Sequence, residues 1–190
     1  MGDLAKEWYD KGIDAYRVGE YEEALEALQR ARSLFAEAQN LTGEAEALGS
    51  MGVVHIQLED WDEAQRLLHE ALEICVACGD RSNQGKVLGN LGMLYARQGD
   101  DAKAAEAYEQ AMVIFRDLGE RDNEKAVARQ LSKLKLKKGE FLEALDNVGE
   151  DEEGALGGTQ RMVRRLFRLL GRVTGRGLTE EEEGEEKDQG

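Results

Sequence analysis

Small residues return to fixed places every 40 residues along this chain. Ala24, Ala64, Ala104 and Ala144 mark one such place. Gly12, Gly52, Gly92 and Ser132 stand twelve residues before them, and Ala31, Ala71 and Ala111 seven residues after. Between the first two sets lies a turn signal: Gly19-Glu20-Tyr21, Glu59-Asp60-Trp61, Gly99-Asp100-Asp101 and Gly139-Glu140-Phe141. Further breaks fall at 39–43, 79–83 and 119–123, where Gly, Asn and Asp supply helix stop and restart signals. No proline interrupts the segments between breaks, so each reads as a long helix. The pattern predicts an all-α protein with two helices, A and B, in each copy.

These positions resemble the tetratricopeptide repeat (TPR) family over residues 4 to about 148. The resemblance implies a right-handed solenoid of helix–turn–helix repeats in 1–148, three full copies and a partial fourth. In that family a small residue of helix A meets an Ala of helix B where the two approach closely. The usual period is about 34 residues and ends with Pro. Here six more residues follow helix B, and Ala36, Val76 and Arg116 hold the Pro position. Helix B can therefore run on by about another turn. This longer form looks like the TPR arrays of polarity adaptors and bacterial regulators. Stacked repeats bury a continuous core that no single pair could bury alone. The expected core residues are Trp8, Leu48, Leu88 and Leu91 from A helices. From B helices come Ala24, Leu28, Ala64, Leu68, Ala104, Tyr108 and Ala111.

The resemblance also implies a concave face made by one side of each helix A. Copy one then offers Tyr9, Ile13, Tyr16 and Arg17 beside Lys6 and Asp10; copy two offers Val53, Ile56 and Gln57 beside Glu46, Gly49 and Ser50. Copy three offers Lys86, Asn90, Met93 and Arg97 beside Gly89 and Ala96; copy four offers Arg129, Lys133 and Lys137 beside Ala126, Gln130 and Leu136. This set holds seven bases and two acids, a surplus of five positive charges. Asn90 matches the family position whose amide often holds a ligand backbone. An apolar floor with a basic end would suit a protein or peptide partner carrying apolar and acidic residues. The family's clamp for chaperone-tail carboxylates is not matched, because Tyr9, Ile13, Gly49 and Val53 occupy its positions.

Composition changes after residue 148. Residues 149–158 read as a flexible Gly- and acid-rich linker. Residues 159–176 read as a basic amphipathic helix, with Thr159 as N-cap. At 100° per residue, Arg161, Arg164, Arg165, Arg168 and Arg172 fall within about 100°, and Met162, Val163, Leu166, Phe167, Leu169, Leu170 and Val173 fill about 160° opposite. Three readings stay open for it. It caps the solenoid or occupies its groove in cis, lies on an anionic membrane surface, or recognises another macromolecule, a protein before a nucleic acid. Residues 177–190 read as an acidic disordered tail.

The whole chain of 190 residues carries a net charge of −15, with 41% apolar and 34% charged residues. That acidity argues against a nucleic-acid partner. No apolar run reaches the ~18 residues of a membrane span. Cys75 and Cys78 give no disulfide framework, which points to the cytoplasm. They also lack the two further ligands that a structural zinc would need. No nucleophile–base constellation accompanies the two histidines, His55 and His69. The expectation is a non-catalytic protein-interaction scaffold or adaptor, without metal or cofactor. An alternative is a peripheral membrane or assembly adaptor acting through 159–176.

Overall fold

The computed structural model describes residues 2–137. These form seven helices: α1 (Gly2–Val18), α2 (Tyr21–Glu37), α3 (Leu41–Gln57), α4 (Trp61–Cys78), α5 (Arg81–Gln98), α6 (Asp101–Leu118) and α7 (Arg121–Lys137). The odd-numbered helices are the A helices of successive repeats, and the even-numbered ones are the B helices. No strand occurs among the described residues. Each helix packs on its sequence neighbours, and α1, α3, α5 and α7 also meet one another in succession. Four sequence readings lie outside the described residues: helix B of copy four, the linker 149–158, the basic helix 159–176 with Arg161, Arg164, Arg165, Phe167, Arg168 and Arg172, and the tail 177–190.

The breaks follow from local chemistry. Asn40 and Asp80 accept the backbone N–H of Gly43 and Asn83 at 3.0 Å, and Asp100 accepts that of Lys103 at 3.1 Å. Each satisfies an amide that the first helical turn leaves without a partner. Gly79 and Gly119 end α4 and α6 in the left-handed region, at φ 73° and 71°. Gln39 and Glu59 adopt the same conformation at φ 54° and 59° with a Cβ present. Ala36, Val76 and Arg116 all lie inside helices, as the missing proline predicts.

The core is built on the 40-residue register. A Cβ added to Gly12 or Gly52 would sit 2.7 or 2.8 Å from Cγ of Leu28 or Leu68. One added to Gly92 would sit 2.6 Å from the Tyr108 ring. Each A-helix glycine thus receives the side chain sixteen residues on, from helix B of its own repeat. Leu28 and Leu68 are fully buried, which stabilises the fold by about 1.5–3 kcal/mol each. Ala24, Ala64, Ala104 and Ala111 are likewise fully buried, and Leu48, Leu88, Leu91 and Tyr108 are buried.

Two expectations need correction. Trp8 is half-buried rather than a core residue: it packs on Ala5, Ala31, Leu34, Phe35 and Ala47, and no described helix covers its outer side. The Lys11 ammonium lies 5.3 Å from its ring centroid instead. Ile56, expected on the concave face, is fully buried and belongs to the core. No described helix is long and apolar enough to cross a membrane.

Candidate functional site

Polar cross-links join α1 to α3 and α3 to α5 side to side. The Tyr9 and Ser50 hydroxyls are 3.0 Å apart between α1 and α3. Lower on the same helices Gln57 Nε2 donates to the Tyr16 hydroxyl at 3.4 Å. Between α3 and α5, Lys86 Nζ lies 3.8 Å from Glu46 Oε1, and Thr42 Oγ1 donates to Asp80 at 3.0 Å. The face contacts pair a residue with the one 40 or 41 positions on. That register places Arg129 beside Gly89, and Lys133 beside Met93, one turn from Arg97. Tyr9, Ile13, Val53, Asn90 and Met93 are half-buried, while Arg17, Lys86, Arg97, Arg129 and Lys133 are exposed. Lys137 ends α7, and its side chain lies outside the described set.

Charge is distributed unevenly over the helices, counted along their whole lengths. α1 carries four acids against three bases, and α3 carries two acids and neither Lys nor Arg. α5 carries three bases and no acid, and α7 six bases against two acids. The B helices α2, α4 and α6 are each net acidic.

The cations also differ in partnership. Lys6 is paired with Asp10 at 2.6 Å, and this hydrogen bond raises its pKa. Arg17 is paired with Asp14 at 3.0 Å. Lys86 contacts Glu46 and donates to Asn83 Oδ1 at 2.9 Å. Arg97, Arg129 and Lys133 make no hydrogen bond or ion pair with a described residue, and neither does the Asn90 amide. The idea that all the bases are spent on neighbouring acids therefore holds for α1 and for Lys86 but not for these three. Sequence reasoning grouped paired and unpaired bases together. The register itself was the usable signal: Lys86 stands opposite Glu46, whereas Arg129 and Lys133 stand opposite Gly89 and Met93.

The floor of this face is formed partly by glycines of a second kind. A Cβ on Gly49 would lie 3.7 Å from Val87 and 4.0 Å from Asn90 Nδ2. One on Gly89 would lie 3.6 Å from Val127. These are ordinary contacts, unlike the collisions at Gly12, Gly52 and Gly92. Packing therefore does not demand glycine here. The Tyr9 hydroxyl pKa is raised, chiefly by burial, against the opposing bond from Ser50, so it stays a neutral hydrogen-bonding group.

A sequence model of the tetratricopeptide repeat family matches residues 4–75, 43–117 and 85–150. The chain belongs to the tetratricopeptide repeat family. Its A-helix face is accordingly the TPR concave face. Several solved TPR-like structures share the fold at low identity, a likeness that concerns architecture alone. BtubC (BKLC) from P. vanneervenii matches at TM-score 0.66 and 19% identity, over 100% of this chain and 72% of that one. A Rap protein complexed with Competence and Sporulation Factor matches at TM-score 0.74 and 14% identity, over 93% of this chain and 50% of the Rap chain. A putative kinesin light chain of Podosopora anserina, with nearly identical TPR-like repeats, matches at TM-score 0.67 and 14% identity, over 93% and 89% of the two chains. A search of curated proteins found no matching relative.

The other candidate chemistry of the TPR chain lies on α3 and α4. Cys75 is buried, and that burial, with the Asp80 carboxylate nearby, pushes its thiol up to about 11. Cys78 is exposed, and both are free thiols. His55 Nδ1 lies 3.1 Å from Asp60 Oδ2, which orients the ring at the end of α3. Among the described residues no three His, Cys, Asp or Glu side chains converge on a metal position.

Proposed function

We propose that this TPR protein is a non-catalytic scaffold whose concave face captures an extended or helical peptide bearing acidic and apolar residues. The reading is carried by one observation: Arg97, Arg129, Lys133 and the Asn90 amide have no described partner on a face that is otherwise cross-linked. Half-buried Ile13, Val53 and Met93 offer the apolar anchors beside them. Charge complementarity of this kind governs partner choice and encounter rate more than raw affinity. The Rap structure, which shares the fold, is a complex with Competence and Sporulation Factor, and this supports ligand capture as the kind of role. The free thiols suit a reducing cytoplasm.

The test is selection of peptides from a random library on the full-length protein. Recovered peptides should be rich in Asp or Glu next to apolar residues. They should lose about tenfold or more in affinity on Arg97→Glu plus Arg129→Glu, and weaken as salt rises above about 0.1 M. Binders indifferent to both charge reversal and salt would remove the concave face as the capture site.

A further inference from the structure

The turns between helix A and helix B of the first two repeats form an apolar edge that the third repeat lacks. Val18 ends α1, and Leu58 caps α3 at the matching place forty residues on. Both are exposed, and at 71% Val18 is the most exposed of the large apolar residues described. The helices that follow begin with aromatics, Tyr21 on α2 and Trp61 on α4, which are half-buried against the core. Two contacts draw the first of these helix ends together. Gln57 Nε2 donates to the Tyr16 hydroxyl at 3.4 Å, and the Tyr16 and Tyr21 ring centroids lie 6.1 Å apart. In the third repeat the matching positions hold Gln98 and Asp101, so the apolar edge stops there.

The rim of this edge is acidic. Residues 18–23 and 58–63 carry seven acids and neither Lys nor Arg. Three of the seven are engaged: Glu23 with Lys11 at 3.1 Å, Asp60 with His55 at 3.1 Å and Glu63 with Arg66 at 2.8 Å. The carboxylates of Glu20, Glu22, Glu59 and Asp62 pair with no described residue. Arg17 and Arg66, which flank the turns in sequence, are already paired with Asp14 and Glu63. Glu59 holds the left-handed position at φ 59° where Gly19 and Gly99 stand in the neighbouring repeats, so a carboxylate is kept where glycine would fit more easily. A rim of this sign repels nucleic acid and anionic membrane alike, and attracts Lys and Arg. We propose that this edge docks a basic segment of a partner protein. An apolar side chain of that segment sits at Val18 and Leu58, and its Lys or Arg residues meet Glu20, Glu22, Glu59 and Asp62. The edge is a different surface from the concave face, so the proposal stands whether or not a peptide binds there.

The experiment follows Trp61 fluorescence in the full-length protein carrying Trp8→Phe, which leaves Trp61 as its single tryptophan. The probe is a synthetic peptide of Leu-Arg-Arg-Leu units, titrated at about 50 mM salt where screening is weak. Calorimetry on the same samples measures total binding. A saturable change in Trp61 emission is expected. The combined variant Glu20→Gln, Glu22→Gln, Glu59→Gly, Asp62→Asn should weaken binding about fivefold or more, and so should Val18→Ser with Leu58→Ser. Removing four exposed acids elsewhere, by Glu37→Gln, Glu73→Gln, Glu106→Gln and Glu109→Gln, should change it by less than about twofold. A peptide with Ser in place of Leu should bind several-fold more weakly. Glu59→Gly alone separates docking from folding, because it should bind more weakly while melting no lower than the parent. Three results overturn the proposal: equal weakening by the two acid sets, equal binding of the Ser peptide, or Trp61 emission that ignores bound peptide. Phosphatidylcholine vesicles that bind with the same dependence on Val18 and Leu58 would also overturn it, in favour of a lipid surface.

Discussion

Two glycines three residues apart on α3, and their equivalents on α5, should respond to the same substitution with opposite sign. Consider Gly52→Ala against Gly89→Ala. At Gly52 the new methyl meets Leu68 Cγ at 2.8 Å and Cδ2 at 2.9 Å, and Leu68 is fully buried. Leu68 cannot swing aside, so the helices must separate or the side chain must leave its rotamer, at about 1–3 kcal/mol. Replacing a mid-helix glycine returns about 1 kcal/mol through the backbone. The net change is about 0–2 kcal/mol destabilising. At Gly89 the nearest atom is Val127 Cγ2 at 3.6 Å, so only the gain remains, about 0.5–1 kcal/mol stabilising. Urea unfolding followed by circular dichroism resolves the difference as a shift in midpoint at constant slope. Equal stabilisation by both substitutions would show that the close contact of Gly52 with Leu68 does not set the repeat's packing distance.

The left-handed positions give a second contrast. Glu59→Gly should stabilise by about 1 kcal/mol, and Gly79→Ala should cost about 1 kcal/mol, both measurable in thermal melts. Burial tends to raise the Asp80 carboxyl pKa, but its bonds from the Asn83 amide, Thr42 and the Asn83 side chain outweigh this and lower it. A depressed folded pKa means the stabilisation is complete above the unfolded value of about 3.9, and is lost as pH falls through the folded value. The stability difference between the parent and Asp80→Asn should therefore shrink below about pH 4, and a difference that is constant with pH would contradict it. Alkylation at about pH 8 should add one label to the native protein, at Cys78, and a second only after denaturation, because Cys75 is buried with its thiol pushed up to about 11.

The repeat could be read from sequence because its determinants are local and periodic. Gly12, Gly52 and Gly92 each fix a contact sixteen residues on, and no proline had to be placed. The concave face was read less well, since a helical wheel assigns faces and not neighbours. Val53 and Ile56 are one turn apart on that wheel, yet Val53 is half-buried and Ile56 fully buried. Tyr16, whose hydroxyl accepts from Gln57, packs on the cluster that contains Ile56. Whether a cation is paired is likewise a matter of what stands across the joint. Lys86 and Arg97 look alike in sequence, and only the first has an acid opposite it.

The order of charge along the A helices has a consequence for orientation. A face whose charges balance over α1 and α3 and are basic at α5 and α7 carries a moment along its length. Any chain laid along it with unequal charge at its two ends meets attraction in one direction and repulsion in the other. A peptide and its reversed sequence, identical in composition, would therefore not be equivalent guests. The discrimination begins before contact, while the approaching chain is still turning in the field.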